Sequence, residues 1–308
     1  KAIIKIKSHK FIKRIVASGY LGIAESYING EWSSPSRSTV FDFGAANLEE
    51  LDRSITANSM VKFLNFIVSL TNLNTKNGSR RNIANHYDLG NNFFSEWLDK
   101  SMTYSSGIHL NSNTTLEQAQ ESKYQRIIEK LDIKSSDKVL EIGCGWGGFA
   151  EYAGKKTGAK ITAITISKEQ LVYSSERIKN SELVNNVEIK LQDYRDVKGT
   201  FDKIVSIEML EAVGESYWST YFNTVSSLLG VRGSALVQVI TVPDEYFDFY
   251  KSGTDFIQKY IFPGGMLICP NSINILSKKA GLNLTDAYYF GQSYAKTLEE
   301  WQVRFQKA

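Results

Sequence analysis

Between residues 138 and 241, five short runs rich in aliphatic and β-branched residues alternate with helical stretches. The runs cover residues 138–142, 160–167, 187–192, 203–207 and 234–241, and the intervening helices begin near Gly147, Lys168 and Glu215. A strand, a helix and another strand in this order form a parallel sheet with right-handed crossovers. The sequence therefore predicts an α/β fold with a Rossmann-like parallel sheet and helices on both faces. Before it, Thr114 and Thr115, each three residues before an acid or an amide, predict the capping-box start of an amphipathic helix.

A glycine-rich loop follows the first of these predicted strands. Residues 141–148 read Glu-Ile-Gly-Cys-Gly-Trp-Gly-Gly, and glycines in this context let a ligand approach backbone N–H groups at a helix N-terminus. Gly143, Gly145 and Gly148 fit the dinucleotide pattern, but residues 164–167 contain no acid for a ribose. Glu141 instead suits a cationic, phosphate-free ligand such as S-adenosylmethionine.

Composition excludes several classes of protein. The 308 residues are 42% apolar and 22% charged, so the chain can bury a full-sized core. The net charge of +3 is too small to indicate a nucleic-acid partner.

The histidines and cysteines limit the kinds of site. His9, His86 and His109 are far apart and predict no metal site. Only Cys144 and Cys269 are present, which favours a reducing compartment and hence the cytoplasm.

The first fourteen residues contain six cations and no acid. Such a run can lie against anionic lipid, or it can simply be solvated. Ile4 and Ile6 alternate with Lys5 and Lys7, as in an exposed strand, and both interpretations stay open. The sequence pattern of residues 1–75 differs from that of the rest of the chain. We therefore expect an N-terminal auxiliary domain there, incomplete at its start. A catalytic domain should cover residues 76–308.

Six motifs in order resemble the cyclopropane-fatty-acyl-phospholipid synthase family. They are NHYDLGNNFF at 85–94, MTYSS at 102–106, VLEIGCGWGG at 139–148, QDYRD at 192–196, EMLEAVG at 208–214 and YIFPGG at 260–265. The likeness extends from about residue 19 to residue 301. The family normally continues with a further helix and closing strands, which this chain lacks.

The resemblance implies an S-adenosylmethionine-dependent methyltransferase that converts the cis double bond of an unsaturated phospholipid acyl chain into a cyclopropane ring. The alkene attacks the sulfonium methyl, and a bicarbonate ion then removes a proton from the carbocation. The alternatives are a fatty-acyl methyltransferase giving methylene- or methyl-branched chains and an inactive lipid-binding paralogue. The resemblance also implies peripheral association with a membrane surface, and it is compatible with a homodimer.

The resemblance assigns residues to two sites. The bicarbonate site falls on Ser106, Glu211, Gln238, Ile240 and Tyr294, although Ser106 stands where Cys is usual and Gln238 where many bacterial members have His. The S-adenosylmethionine site falls on Tyr104, Ser105, Glu141, Gly143, Cys144, Gly145, Trp146, Gly147, Thr165, Gln170, Asp193 and Tyr194. We interpret Cys144 as a packing residue and not as a reactive thiol.

Overall fold

The computed structural model of the chain describes residues 2–47, 50–51, 74–76, 78–79 and 89–308. The helices of these residues are α1 (Lys10–Ile28), α2 (Arg37–Ala46), α3 (Asn91–Ser95), α4 (Leu116–Leu131), α5 (Gly148–Thr157), α6 (Lys168–Asn180), α7 (Trp218–Leu228), α8 (Asp244–Lys251), α9 (Pro270–Lys279) and α10 (Gly291–Lys307). The strands are β1 (Lys5–Ile6), β2 (Trp32–Ser33), β3 (Lys138–Ile142), β4 (Lys160–Thr165), β5 (Val187–Leu191), β6 (Phe201–Ile207) and β7 (Leu229–Gln238). The chain divides into two compact units, Lys1–Leu73 with Glu245–Gly264, and Asn74–Asp244 with Gly265–Ala308.

The second unit is built on a five-stranded parallel sheet. Its strand order is β5-β4-β3-β6-β7, and β3 pairs with β4 on one side and with β6 on the other. Val139 and Leu140 are adjacent in β3 and both are fully buried, which is typical of a parallel strand covered on both faces. This sheet, with helices around it, confirms the predicted α/β fold.

Helix α4 shows how the sequence builds this core. Thr115 Oγ1 accepts from the Gln118 N–H, and Gln118 Oε1 accepts from the Thr115 N–H, so the predicted capping box is present. The buried residues of α4 recur three or four positions apart. Ile127 and Leu131 pack against Val139 and other residues of the sheet.

Strand bounds follow the prediction at the centre of the sheet and depart from it at β7. β3 covers residues 138–142, as predicted. β7 begins at residue 229 instead of 234. The prediction missed residues 229–233 because Gly230 and Gly233 interrupt the β-rich pattern. The pairing of β7 with β6 changes register between Phe201 and Lys203. Thr241, predicted to end this strand, forms an isolated bridge beyond it.

The first unit contains a two-stranded antiparallel sheet and α1. Lys5 of β1 lies opposite Ser33 of β2, so part of the basic run is a strand, as its alternation indicates. Glu25 of α1 accepts hydrogen bonds from Lys259 Nζ at 2.6 Å and from Tyr260 Oη at 2.7 Å. These contacts attach the segment 245–264 to α1. The division into an auxiliary and a catalytic domain at residue 75 stays a prediction.

None of the helices in the described ranges has the length and apolar character needed to cross a membrane.

Candidate functional site

The glycine loop joins β3 to α5 at the carboxyl end of the central strand. Gly143, Gly145 and Gly147 have φ angles of +81°, +54° and +83°, which glycine adopts without steric cost. A Cβ at Gly143 would lie 2.8 Å from Met209 Cγ, whereas a Cβ at Gly145 would meet no atom within 4 Å. The loop therefore has an open side at Gly145 where a ligand can approach the backbone.

Glu141 and Cys144 are buried beside this loop. The Glu141 carboxylate accepts a hydrogen bond from the Ala150 N–H of α5, and its Oε2 has no hydrogen-bond partner among the described residues. Burial raises the pKa of Glu141 to about 8. A cationic ligand nearby would stabilise the charged form of this carboxylate, so the site fits S-adenosylmethionine. Burial also raises the pKa of the Cys144 thiol, as expected for a packing residue.

The next two strands place polar groups at the same edge of the sheet. After β4, Thr165 Oγ1 donates to Gln170 Oε1 at 2.8 Å. After β5, Asp193 accepts from Arg195 Nε at 2.8 Å and from Arg195 Nη2 at 2.6 Å. Burial opposes ionisation, but Arg195 holds the pKa of Asp193 below its ordinary value. Tyr194 follows in a buried turn, so the predicted ligand-binding residues lie where parallel strands end.

Helix α4 fixes the segment that carries Tyr104 and Ser105. Lys123 Nζ donates to Ser105 Oγ at 2.7 Å, and Gln120 Nε2 donates to Ser105 O at 2.8 Å. Lys123 is 1% exposed, and burial lowers its pKa to about 8 although neighbouring carboxylates counteract this effect. A buried cation therefore lies near Glu141 of the predicted S-adenosylmethionine site and near Asp99 and Glu208, which belong to neither predicted site.

Two carboxylates follow β6, next to the end of β7. Glu208 Oε1 accepts from the Ser106 N–H at 2.8 Å and from Gln238 Nε2 at 2.8 Å. Gln238 Nε2 also donates to Ser106 O at 3.2 Å. Glu211 Oε1 accepts from the Ile240 N–H at 2.6 Å, and its Oε2 is buried without a hydrogen-bond partner in the described part of the chain. Four residues of the predicted bicarbonate site thus come together, with Glu208 added.

The two carboxylates differ in how well the site stabilises their charge. Burial and, after it, the charge of Glu208 raise the pKa of Glu211 to about 8. Burial also raises the pKa of Glu208, but the Lys123 cation and its two hydrogen-bond donors oppose this effect. Glu208 is therefore the member of the pair whose negative charge the site stabilises better. Burial and both acids raise the pKa of Tyr294, so its hydroxyl stays protonated.

An aromatic cluster packs around Tyr104. The Tyr104 ring centroid lies 5.4 Å from those of Trp97 and Trp301 and 5.6 Å from that of Phe94. Trp146 of the glycine loop lies 5.0 Å from Phe94. Aromatic faces attract cations and this packing excludes water, so the cluster suits chemistry that passes through positive charge.

Sequence reasoning missed Glu208 and Lys123. Lys123 falls on the buried stripe of α4, four residues after Ala119 and four before Ile127, so its position is readable from periodicity. Glu208 lies three residues before Glu211, and no sequence pattern reveals its φ of +47°. His86 lies outside the described residues.

Comparison with known proteins gives the following similarities. The model of the mycolic acid cyclopropane synthetase family matches residues 74–308. Tuberculostearic acid methyltransferase UfaA1 of Mycobacterium tuberculosis is 35% identical over an alignment of 308 positions, which covers 95% of this chain and 70% of that protein. Cyclopropane-fatty-acyl-phospholipid synthase of Escherichia coli is 36% identical over 302 residues, which are 98% of this chain and 76% of that protein.

Solved structures show the same likeness. Mycolic acid cyclopropane synthase CmaA1, complexed with SAH and CTAB, superimposes with a TM-score of 0.69 at 29% identity. The match covers 74% of this chain and 83% of that one. The cyclopropane synthase MmaA2 from Mycobacterium tuberculosis also has a TM-score of 0.69, at 25% identity and the same coverage.

Proposed function

Since this chain belongs to the mycolic acid cyclopropane synthetase family, we propose that it converts cis double bonds of unsaturated phospholipid acyl chains into cyclopropane rings. The match over residues 74–308 confirms the family expected from the motifs. The chain is accordingly an S-adenosylmethionine-dependent methyltransferase. The acyl substrate and the product are the subject of the proposal.

The observation that carries the proposal is the carboxylate pair Glu208 and Glu211. S-adenosylmethionine supplies the methyl group, and the methylated alkene becomes a carbocation that closes to a ring only when a base removes a proton. A buried carboxylate is such a base. The rings of Tyr104 and Trp301 can stabilise positive charge and exclude water that would trap the cation.

A branched product is the second candidate, because the same cation gives a methylene branch when it loses a different proton. One relative is named a tuberculostearic acid methyltransferase, and a Pseudomonas putida relative, 37% identical over 71% of this chain and 56% of that protein, is named a probable fatty acid methyltransferase. An inactive lipid-binding protein is the third reading, prompted by Ser106 in place of the usual Cys.

Mass spectrometry of lipids separates these candidates. The full chain is expressed in cells with unsaturated phospholipids, and their acyl chains are analysed with and without expression. A gain of one CH₂ with loss of the alkene indicates a ring, and the same gain with retained unsaturation indicates a branch. No gain, in cells where the protein is folded and binds S-adenosylhomocysteine, contradicts both enzymatic readings.

We further propose that the N-terminal basic run docks on an anionic membrane surface. Lys10 and Lys13 are exposed on α1, next to Ile12 and Val16, which are 51% and 68% exposed. Residues 1–24 contain no acid. Exposed apolar side chains among cations are typical of a helix that lies in a membrane interface, and each cation near such a surface contributes about 1 kcal/mol.

Vesicle sedimentation tests this docking surface. Lys10→Glu with Lys13→Glu should lower partitioning onto anionic vesicles by roughly tenfold or more, since two attractions become repulsions. The control pair Lys278→Glu with Lys279→Glu, on exposed residues of α9, has the same charge change. Equal losses for both pairs would argue against a specific surface. A homodimer stays a prediction, which sedimentation equilibrium can check.

The bicarbonate ion implied by the resemblance does not fit the donors of this site. The N–H groups of Ser106 and Ile240 and the Gln238 amide already bind oxygens of Glu208 or Glu211. A further anion would meet the repulsion of a buried carboxylate and would have to displace it from these donors. We therefore assign no step to bicarbonate.

A further inference from the structure

Glu208 fills the position in which an external anion would bind. Its Oε1 takes the Ser106 N–H and one N–H of the Gln238 amide, both at 2.8 Å. The other N–H of that amide is used by Ser106 O at 3.2 Å. Ser106 and Gln238, two of the residues that the family resemblance assigns to an anion, therefore donate to a side chain of the same protein.

The backbone at Glu208 supports a functional role for this side chain. Its φ of +47° lies in the left-handed region, which side chains with a Cβ rarely adopt. Strained backbone of this kind persists mainly at functional sites. A glycine would fit this conformation without cost, whereas the glutamate places its carboxylate on the Ser106 N–H and the Gln238 amide. The side chain is only partly covered, which leaves it accessible to a substrate.

We propose that Glu208 itself accepts the proton in the ring-closing step and replaces bicarbonate as the base in this chain. The proposal rests on the proposed function, because it needs a carbocation that loses a proton. The arrangement around Glu208 prepares it for this task. Two hydrogen bonds orient Oε1, and the buried cation of Lys123 lies close enough to stabilise the charge.

Electrons and protons balance in this step. The alkene π electrons form a bond to the methyl carbon, the bond from that carbon to sulfur breaks, and S-adenosylhomocysteine leaves with the electron pair. The Glu208 carboxylate then takes a proton from the added methyl group, and the electrons of that C–H bond close the ring. The neutral glutamic acid finally returns the proton to solvent.

Two variants of Glu208 test the proposal, with matched controls at Glu182. Glu208→Gly removes the carboxylate without backbone strain and frees the donors, whereas Glu208→Gln keeps the shape and removes the charge. Glu182 is an exposed glutamate that also has a left-handed φ, of +57°. Glu182→Gly and Glu182→Gln therefore repeat both changes away from the site.

Binding is measured with isotopically labelled bicarbonate by NMR. We expect no saturable binding to the wild type or to the Glu182 variants, and saturable binding to Glu208→Gly. Affinity for S-adenosylhomocysteine, measured by calorimetry, checks that each variant is folded. If Glu208→Gly does not fold, the wild type and Glu208→Gln still decide between an internal and an external base.

Turnover is measured on vesicles of unsaturated phospholipid in buffer depleted of carbon dioxide, with and without added bicarbonate. Wild-type turnover should not depend on bicarbonate. Glu208→Gln should lower it by about 10²–10⁴-fold, the usual effect of losing a general base, without rescue. Glu208→Gly should lose as much and regain roughly tenfold or more when bicarbonate is added.

Two results would overturn the proposal. One is wild-type turnover that stops on depletion and returns with bicarbonate, and the other is saturable binding of bicarbonate by the wild type. If the wild type methylates no lipid under any condition, the proposed function fails instead. The binding experiment then still decides whether Glu208 fills the anion site.

Discussion

Replacing Lys123 by methionine should change how the stability of the second unit depends on pH. Lys123 is 1% exposed, and its pKa is about 8 against an ordinary 10.5. Burying this cation therefore costs about 3 kcal/mol below pH 8. Methionine has a similar length and no charge, so Lys123→Met removes that cost. The variant also loses the hydrogen bond to Ser105 Oγ, worth about 1.5–3 kcal/mol for a charged donor.

The carboxylates decide the sign of the pH dependence. Lys123 lowers the pKa of both Glu141 and Glu208, so without it the folded state binds their protons over a wider range of pH. Stability falls with rising pH wherever the folded state binds more protons than the unfolded state. The wild type, in contrast, gains stability between pH 8 and 10.5 as folded Lys123 releases its proton. The free energy of unfolding of Lys123→Met minus that of the wild type should therefore be largest near pH 5. By pH 9 this difference should fall by about 2 kcal/mol or more.

Urea unfolding at pH 5, 7 and 9 measures this difference. Four of the five tryptophans belong to the second unit, so their fluorescence reports its unfolding midpoint. Lys130→Met is the matched control, because Lys130 is on the same helix but 46% exposed, in an ion pair with Asp286. If the urea midpoints of Lys123→Met and of the wild type change with pH by the same amount, Lys123 does not set the pKa values of Glu141 and Glu208.

Three smaller predictions concern the loop, the thiols and Ser106. Gly145→Ala should cost the fold about 1–2 kcal/mol and weaken S-adenosylhomocysteine binding by roughly tenfold, because its Cβ enters the open side of the loop. Gly158→Ala, at a φ of +69° without close neighbours, should cost the same and leave the affinity measured by calorimetry unchanged. Cys144 and Cys269 are buried and should react with a maleimide only after unfolding, so rapid labelling of the native protein would contradict their packing role. Ser106→Cys should lower the melting temperature only slightly, since the Ser106 Oγ makes a single 3.0 Å bond to the next carbonyl worth about 1 kcal/mol.

Much of the fold was predictable because its signals are local. A parallel strand buried on both faces is a mostly apolar run, and the glycine loop marks where the strand at residues 138–142 ends. β7 was harder to locate because pairing with β6 decides its extent. Residues 229–233 include Gly230 and Gly233, yet they belong to the strand. The attachment of residues 245–264 to α1 through Glu25 is also a contact between distant parts of the sequence. No local sequence pattern predicts it.

The candidate site was only partly predictable for a different reason. Assigning roles from family motifs treats each position separately. Ser106 and Gln238 are the two positions that depart from the commonest family pattern. Both bind the carboxylate of Glu208, Ser106 through its backbone N–H and Gln238 through its side-chain amide. The choice of an amide has a chemical reason. An amide at position 238 is neutral at every pH and can use both N–H groups at once, whereas an imidazole next to the Glu208 carboxylate would be drawn into its charged form. Gln238 and Glu208 therefore act as one unit on the backbone of Ser106, and the role of each depends on the other.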